Sequence, residues 1–247
     1  MSKWKWIAAS RRGTSHERSN THRQDAYRCF ESRYGRLIAA VSDGAGSASH
    51  SRYGAAITCR LLTNRARAHG KVPNRNLFEE WIDELRDSIA STATRHGLQM
   101  RDFAATMLFA MSDARSLFVA HVGDGAIVRQ DDPGGQWECV SWPESGEYAS
   151  TTFFVTDNAG VRLRTSTFDN PPHAIALFSD GIERLVLDFA SQSAPSGFFD
   201  TMSGAMKDSE LPGAQRVLSR QLHSYLGSPK INERTDDDKT MIVAVRR

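Results

Sequence analysis

The chain has 247 residues, 40% of them hydrophobic, which is enough to bury a sizeable core and favours a single domain over residues 1–247. Its 31 Lys and Arg residues oppose 29 Asp and Glu residues, and the formal charge of +2 is too small to predict a nucleic-acid-binding surface. The three cysteines form no CxxC pair, so we expect neither a disulfide framework nor a zinc site. No segment resembles a signal peptide or the roughly 18 apolar residues of a membrane helix, so we expect a cytoplasmic protein without a membrane span.

Short runs with the composition of β-strands recur along the chain. They are residues 4–9, 36–42, 116–122, 151–156, 174–178 and 241–245. The sequence DDPGGQ at 131–136 has strong turn chemistry and predicts a hairpin. Residues 191–209 are rich in Ser, Gly and Pro, and they predict an irregular loop or an embellishment of the fold.

Three segments predict helices that pack on the core. Residues 53–69 and 77–96 carry apolar side chains at three-to-four spacing, and each is followed by a glycine that can end a helix. The third helix is predicted from Pro212 to Leu226, with Val217, Leu218, Leu222 and Tyr225 facing inward. Because the strands and helices do not alternate one by one, the order favours an α+β fold.

Three apolar runs are followed by an Asp-Gly pair, at Asp43, Asp124 and Asp180, and the last run is preceded by residues 236–238, all Asp. One Asp-Gly pair is most often only a turn. Several carboxylates gathered at one end of a sheet repel one another unless a cation or protons neutralise them. Oxygen ligands without Cys or His favour Mg²⁺ or Mn²⁺, and two such ions suit the hydrolysis of phosphoesters.

The chain resembles the metal-dependent protein phosphatases of type 2C, in their compact bacterial branch. Six segments carry the resemblance, in order: GTSHERSNTHRQDAY at 13–27, VSDGAGSASHSRYGA at 41–55, FAATMLFA at 103–110, FVAHVGDGAIV at 118–128, FSDGIERL at 178–185 and DDDKTMIVA at 236–244. The resemblance covers nearly the whole chain. It implies a four-layer α-β-β-α sandwich of two antiparallel sheets flanked by helices.

The resemblance also implies a set of ligands for two ions, Mn²⁺ or Mg²⁺. Asp43 would bridge both ions, the carbonyl of Gly44 would hold one of them, and Asp180 with Asp237 would complete the other. Asp237 is preferred because the family places this ligand three residues before a Thr or Ser, here Thr240. Its two acidic neighbours keep that choice open.

Other matched positions imply supporting roles. Asp25 corresponds to an early acidic residue that orients metal-bound water or contacts a metal. Asp124 corresponds to a ligand of a weaker third ion, but the usual acidic companion is replaced by Arg184, with Glu183 just before it, so support for a third ion is weak. Thr106 matches a small-residue segment that packs beneath the site.

The chain departs from the family pattern at two positions. Ala45 stands where many members have a His that protonates the leaving alcohol, and Asn20 stands where many have an Arg that binds phosphate. We predict that His16 contacts the phosphate or a metal-bound water, with Arg18 as the second candidate, because a cation near the transferring oxygens stabilises their charge.

The leading hypothesis is hydrolysis of phosphoserine and phosphothreonine in proteins by a hydroxide that bridges the metals. The expected partner is a phosphoprotein, either a Ser/Thr kinase or its target, and neither nucleic acid nor membrane is expected. A second hypothesis is a weakly active or inactive module that binds a phosphoprotein, which the losses at Ala45 and Asn20 favour. A third is hydrolysis of a small phosphorylated metabolite, because metal chemistry does not identify what carries the phosphate.

Overall fold

The computed structural model describes residues 4–144 and 152–247. The strands in these ranges are β1 Trp4–Arg11, β2 Ala26–Glu31, β3 Leu37–Ser42, β4 Met107–Ser112, β5 Leu117–Val122, β6 Ala126–Gln130, β7 Trp137–Ser141, β8 Arg164–Phe168, β9 Ala174–Phe178, β10 Gly213–Ala214 and β11 Lys239–Arg246. The helices are α1 Thr14–Arg18, α2 Ser51–His69, α3 Arg75–Arg95, α4 Asp180–Val186, α5 Ser196–Gly204, α6 Arg216–Leu226 and α7 Pro229–Asn232.

Two sheets form the centre of the fold. One has the order β10-β1-β11-β9-β6-β7 and the other the order β2-β3-β4-β5-β8. All neighbours are antiparallel except β10 and β1. Side chains alternate between the two faces of each strand, so Leu37 and Val41 pack between the sheets while Ile38 and Ala40 face helices. The predicted α+β sandwich of four layers is therefore confirmed.

The helical layers lie where the amphipathic segments predict them. α2 and α3 cover the five-stranded sheet, and α4, α5 and α6 cover the six-stranded sheet. α3 buries Phe78, Leu85 and Ile89, which recur at helical spacing. α2 ends at Gly70, whose φ of 73° is the left-handed conformation that glycine adopts without strain. None of the helices in the described residues is long and apolar enough to cross a membrane.

The strand predicted at 151–156 is wrong for the residues that the structure describes, 152–156; residue 151 lies outside them. This segment makes a tight turn, in which the amide of Phe154 donates to the side chain of Asp157 at 2.9 Å. Val155 is fully buried, and Phe153 packs against the same core. The apolar residues that predicted a strand thus serve packing rather than sheet pairing.

Two predictions in the C-terminal third need correction. Residues 191–209 contain α5, which is held by Phe199 packed against Trp137 and Phe178. The helix predicted from Pro212 begins only at Arg216, because Gly213 has a φ of 89° and pairs with β1. Val217, predicted to face inward, is 61% exposed.

Candidate metal centre

Three of the predicted aspartates meet between the two sheets. Asp43 follows β3, Asp124 lies between β5 and β6, and Asp180 opens α4 directly after β9. One carboxylate oxygen from each can be chosen so that all three lie within 4.8 Å of one another. The strand-end pattern in the sequence therefore does bring these side chains together.

Burial makes this cluster electrostatically unfavourable when it is ionised. It raises the pKa of Asp43 well above its usual range, and the charges of Asp25 and Asp180 raise it further. Burial also raises the pKa of Asp180, to about 6, and that of Asp25, to about 6. Asp43 thus lies within reach of two other carboxyl groups, and a bound cation would stabilise all three in their charged form.

Two carboxylate oxygens at this site are buried without a hydrogen-bond partner in the part of the chain that the structure describes. They are Oδ1 of Asp25 and Oδ1 of Asp180. The other oxygen of Asp25 accepts a hydrogen bond of 2.9 Å from the hydroxyl of Ser179. Buried acceptors are normally paired, so these oxygens fit a hard divalent cation, which prefers oxygen ligands.

Thr106 holds the backbone of Asp43 in place. Its hydroxyl accepts a hydrogen bond from the amide of Asp43 at 3.0 Å, and its own amide donates to the carbonyl of Asp43 at 2.8 Å. The next residue, Gly44, has no room for a side chain, since a Cβ there would lie 2.9 Å from the carbonyl oxygen of Gln24. The backbone at the predicted bridging ligand is therefore held tightly.

Asp238 ties the start of the chain to the last strand. It is 1% exposed, and its carboxylate accepts hydrogen bonds from the amides of Gly13, at 2.7 Å, and Gln24, at 2.5 Å. Nδ1 of His16 lies 3.0 Å from the same carboxylate. These contacts give Asp238 a structural role and direct His16 towards it.

The two residues before Asp238 differ in their surroundings. The charge of Asp237 raises the pKa values of Asp180 and Asp124, so Asp237 lies within electrostatic reach of the cluster. Asp236 is exposed and forms an ion pair of 2.7 Å with Arg18. This arrangement agrees with Asp237 as the metal ligand, which stays a prediction. Arg18, the second candidate for phosphate binding, is paired with Asp236 at the surface.

The sequence model of protein phosphatase 2C matches residues 12–227. The chain belongs to the protein phosphatase 2C family. This match confirms the predicted family, and the relatives below agree with it.

Serine/threonine-protein phosphatase 3 of Escherichia coli (strain K12) is 33% identical over 255 residues, covering 98% of each chain. The family match and this relative confirm the predicted enzyme class, a serine/threonine protein phosphatase. The crystal structure of Stp1 from Staphylococcus aureus has a TM-score of 0.66 at 15% identity and covers 99% of this chain and 95% of its own. The catalytic domain of PstP, in complex with two manganese ions, has a TM-score of 0.62 at 16% identity and covers 100% and 99%. The solved structures show that the fold is shared.

Glu183, one residue before Arg184, places a carboxyl group beside the turn of this phosphatase 2C chain that carries Asp124. It is 8% exposed, and its carboxylate accepts a hydrogen bond of 3.3 Å from the amide of Gly125. Burial raises the pKa of Glu183 to about 7, and the charges of Asp180 and Asp124 act in the same direction. Its place on the first turn of α4, three residues after Asp180, is the signal that could have found it.

The replacement of the usual phosphate-binding Arg by Asn20 has a local explanation. Asn20 has a φ of 53°, a left-handed conformation that Asn tolerates better than Arg does. Arg23 lies closer to the site, and its guanidinium donates to the carbonyl oxygens of Asp25 and Ser10, each at 3.2 Å. In this member of the family, Arg23 braces the backbone at Asp25.

His121 anchors the turn that carries Asp124. Its Nε2 lies 3.0 Å from the carbonyl oxygen of Asp124, so Nε2 carries the proton and donates. Nδ1 then accepts from the guanidinium of Arg164 at 2.8 Å and lies 2.7 Å from the hydroxyl of Ser141. Burial lowers the pKa of His121 to about 3, and Arg164 lowers it further, so the ring is neutral. Arg164 thereby fixes the tautomer that holds the turn.

Replacing His121 by Ala is expected to raise the Mn²⁺ concentration needed for half-maximal turnover by about tenfold, because the turn that carries Asp124 loses its anchor. Turnover should recover at saturating Mn²⁺. The matched control is Ser141→Ala, which removes one contact to Nδ1 and leaves the bond to Asp124 intact, and it should stay within about twofold of wild type. Metal titrations of phosphate release measure both, and an unchanged Mn²⁺ dependence in His121→Ala would contradict the anchoring role.

Proposed function

We propose that this protein hydrolyses phosphoserine and phosphothreonine in proteins with two divalent cations, Mn²⁺ or Mg²⁺. The observation that carries the proposal is the half-buried cluster of Asp43, Asp124 and Asp180. Asp43 and Asp180, with the carbonyl of Gly44 and with Asp237, would hold the two ions. Such ions, when bound, polarise a phosphoryl oxygen and lower the pKa of water.

The protein's own groups prepare the proton transfers. Asp25 is buried beside Asp43, keeps one oxygen unpaired and has a pKa of about 6, so it is suited to accept the proton of the attacking water. Ala45 has no proton to give, so the leaving alcohol takes its proton from solvent. His16, whose ring is directed by Asp238, is the proposed phosphate contact, with Arg18 as the second candidate.

The proposed partner is a phosphoprotein, a Ser/Thr kinase or its target, and the proposed compartment is the cytoplasm. The three cysteines are unpaired thiols, as a reducing compartment would keep them. A single catalytic domain over residues 1–247 is part of the same proposal.

The test compares one peptide carrying phosphothreonine, phosphoserine or phosphotyrosine with p-nitrophenyl phosphate, in EDTA and with added Mn²⁺ or Mg²⁺. We expect metal-dependent release of phosphate, with phosphothreonine and phosphoserine preferred over phosphotyrosine by about tenfold or more. Folded protein that binds the phosphopeptide but hydrolyses nothing with any metal would instead identify a binding module. Turnover confined to small phosphoesters would favour a metabolite substrate.

A further inference from the structure

One face of α2 borders a long groove on the outside of the molecule. The groove consists of three adjoining depressions, of which the first, about 720 Å³, and the second, about 360 Å³, share Ile57 and Arg60. The second and third share Asn64 and Ala68. These four residues recur at three-to-four spacing and so lie on one face of the helix. From His50 to Ala68 the groove follows α2 for about 27 Å, at 1.5 Å per residue.

The groove is strongly cationic, although the whole chain carries a formal charge of only +2. Among the described residues that line the three depressions, Glu31 is the only acidic one. Within the described chain, no carboxylate forms an ion pair with any of six lining cations: Arg33, Arg36, Arg60, Arg67, Lys71 and Arg95. An anionic ligand is therefore the expected occupant.

Arg36 lines the third depression. Its Nε and Nη1 atoms are buried and have no hydrogen-bond partner among the described residues, so no described carboxylate neutralises its charge. Its guanidinium lies 5.1 Å from the ring of Tyr34, which is 56% exposed. The charge of Arg36 therefore adds to the cationic field of the groove.

The groove also has an apolar floor. At its first end Ile57, Leu98 and Phe103 lie below the rim, and Tyr53 is 51% exposed beside them. A polypeptide that carries both acidic and large apolar side chains matches this combination, and about eight extended residues span its length. A nucleic acid strand would match the charge but would leave the aliphatic part of the floor without a stacking partner.

One end of the groove lies beside a segment that carries a site carboxylate. There the amide of His50 donates to the carbonyl oxygen of Asp102 at 2.7 Å, and the amide of Ala45, two residues after Asp43, donates to the carbonyl oxygen of Ala104 at 3.0 Å. At the other end the groove is lined by β2 and the turn after it, which lead away from Asp25. A substrate segment beside the phosphorylated residue can therefore continue into the groove.

We infer that this groove docks an acidic segment with large apolar side chains, next to the phosphorylated residue of a protein substrate. The inference rests on the proposed phosphatase activity and specifies the class of substrate. Docking of this kind acts on the binding of protein substrates and leaves the hydrolysis of small phosphoesters unchanged.

The test uses Arg60→Glu/Arg67→Glu, which reverses two exposed charges on the groove face of α2. The matched control is Arg216→Glu/Arg220→Glu on α6, which changes the net charge equally at two exposed arginines away from the groove. Arg60→Lys/Arg67→Lys retains the charge. Kinetics are measured on phosphorylated casein, an acidic phosphoprotein, and on p-nitrophenyl phosphate.

We expect the groove variant to lose about tenfold or more in kcat/KM on phosphorylated casein, through KM, and to stay within about twofold on p-nitrophenyl phosphate. The α6 variant and the lysine variant should resemble wild type on both substrates. An equal kcat/KM on phosphorylated casein for the groove variant and wild type would overturn the inference. An equal loss on both substrates would also overturn it, because the effect would then be on the fold or the catalytic site.

A binding measurement keeps the inference testable if the protein proves inactive. A labelled peptide of Glu, Asp and Leu should bind to the wild type, as measured by fluorescence anisotropy. Its affinity for the groove variant should be about tenfold lower. A single-stranded oligonucleotide of equal charge should bind less tightly than the peptide. Tighter binding of the oligonucleotide would overturn the inference in favour of a nucleic-acid surface.

Discussion

Asp43→Asn is expected to reduce metal-dependent kcat/KM by at least about 1,000-fold, since a bound cation supplies several kcal/mol of transition-state stabilisation. Asp25 and Asp180 both interact with Asp43, so its carboxylate is the one proposed to reach both ions. The amide of Asn retains the shape of the side chain but removes its charge. Phosphate release from a phosphothreonine peptide with and without Mn²⁺ measures the loss.

The same substitution should not destabilise the metal-free protein. Burial raises the pKa values of Asp25 and Asp180 from 3.8 to about 6, so the folded state binds protons that the unfolded state has already lost. In EDTA, the wild type should therefore lose stability as the pH rises from about 4 to about 6. Asp43→Asn removes one charge from this cluster and should lose less.

Thermal unfolding in EDTA at two pH values checks this result, with Asp87→Asn at an exposed position of α3 as the control. Added Mn²⁺ should raise the Tm of wild type and of the control, because a ligand that binds only the folded state stabilises it. It should raise the Tm of Asp43→Asn much less. Full Mn²⁺-dependent turnover in Asp43→Asn would remove Asp43 from the metal site.

Asp238→Ala is expected to impair stability, whereas Asp237→Ala is expected to impair metal binding. Asp238 accepts two backbone hydrogen bonds in the interior, from Gly13 and Gln24, and its removal leaves both amides unpaired. The free energy of unfolding should fall by about 3 kcal/mol, at roughly 1–3 kcal/mol for each buried donor. Asp237→Ala should change the stability in EDTA much less, because it removes one hydrogen bond, from the amide of Asp238, together with a carboxyl group whose pKa burial raises.

Urea denaturation in EDTA and Mn²⁺ titration of activity separate the two variants. We expect Asp237→Ala to need far more Mn²⁺ for turnover, while Asp238→Ala is limited by folding. If Asp238→Ala proves as stable as wild type and loses only metal affinity, the two roles must be exchanged.

The site was predictable where its residues are marked by local pattern. Asp43, Asp124 and Asp180 each follow an apolar run and precede Gly, so both the ends of the strands and the carboxylates can be recognised without knowledge of the fold. The convergence of those ends follows once the strands form sheets. The resemblance of six segments to the protein phosphatase 2C family then predicted the order of the layers.

Other features depend on contacts that no local pattern encodes. β2, with the sequence AYRCFE, has no clean alternation and becomes a strand because β3 pairs with it and α2 packs on it. The bond between Arg164 and His121 joins two strands far apart in sequence. The family pattern marks Arg184, one residue after Glu183, although the first turn of α4 brings Glu183 within electrostatic reach of Asp124.

The pairing of β1 with β11 also bears on how the enzyme is made. β1 is synthesised long before its main partner β11, with which it pairs from Trp4↔Arg246 to Arg11↔Lys239, and β10 offers it only two residues. During most of translation β1 therefore lacks its main pairing strand. Its unpaired edges make the nascent chain prone to aggregation and to chaperone binding. The segment that leads into β11 also brings Asp238 and the proposed ligand Asp237, so a chain that stops before it lacks the partner of β1, a structural carboxylate and a proposed metal ligand together.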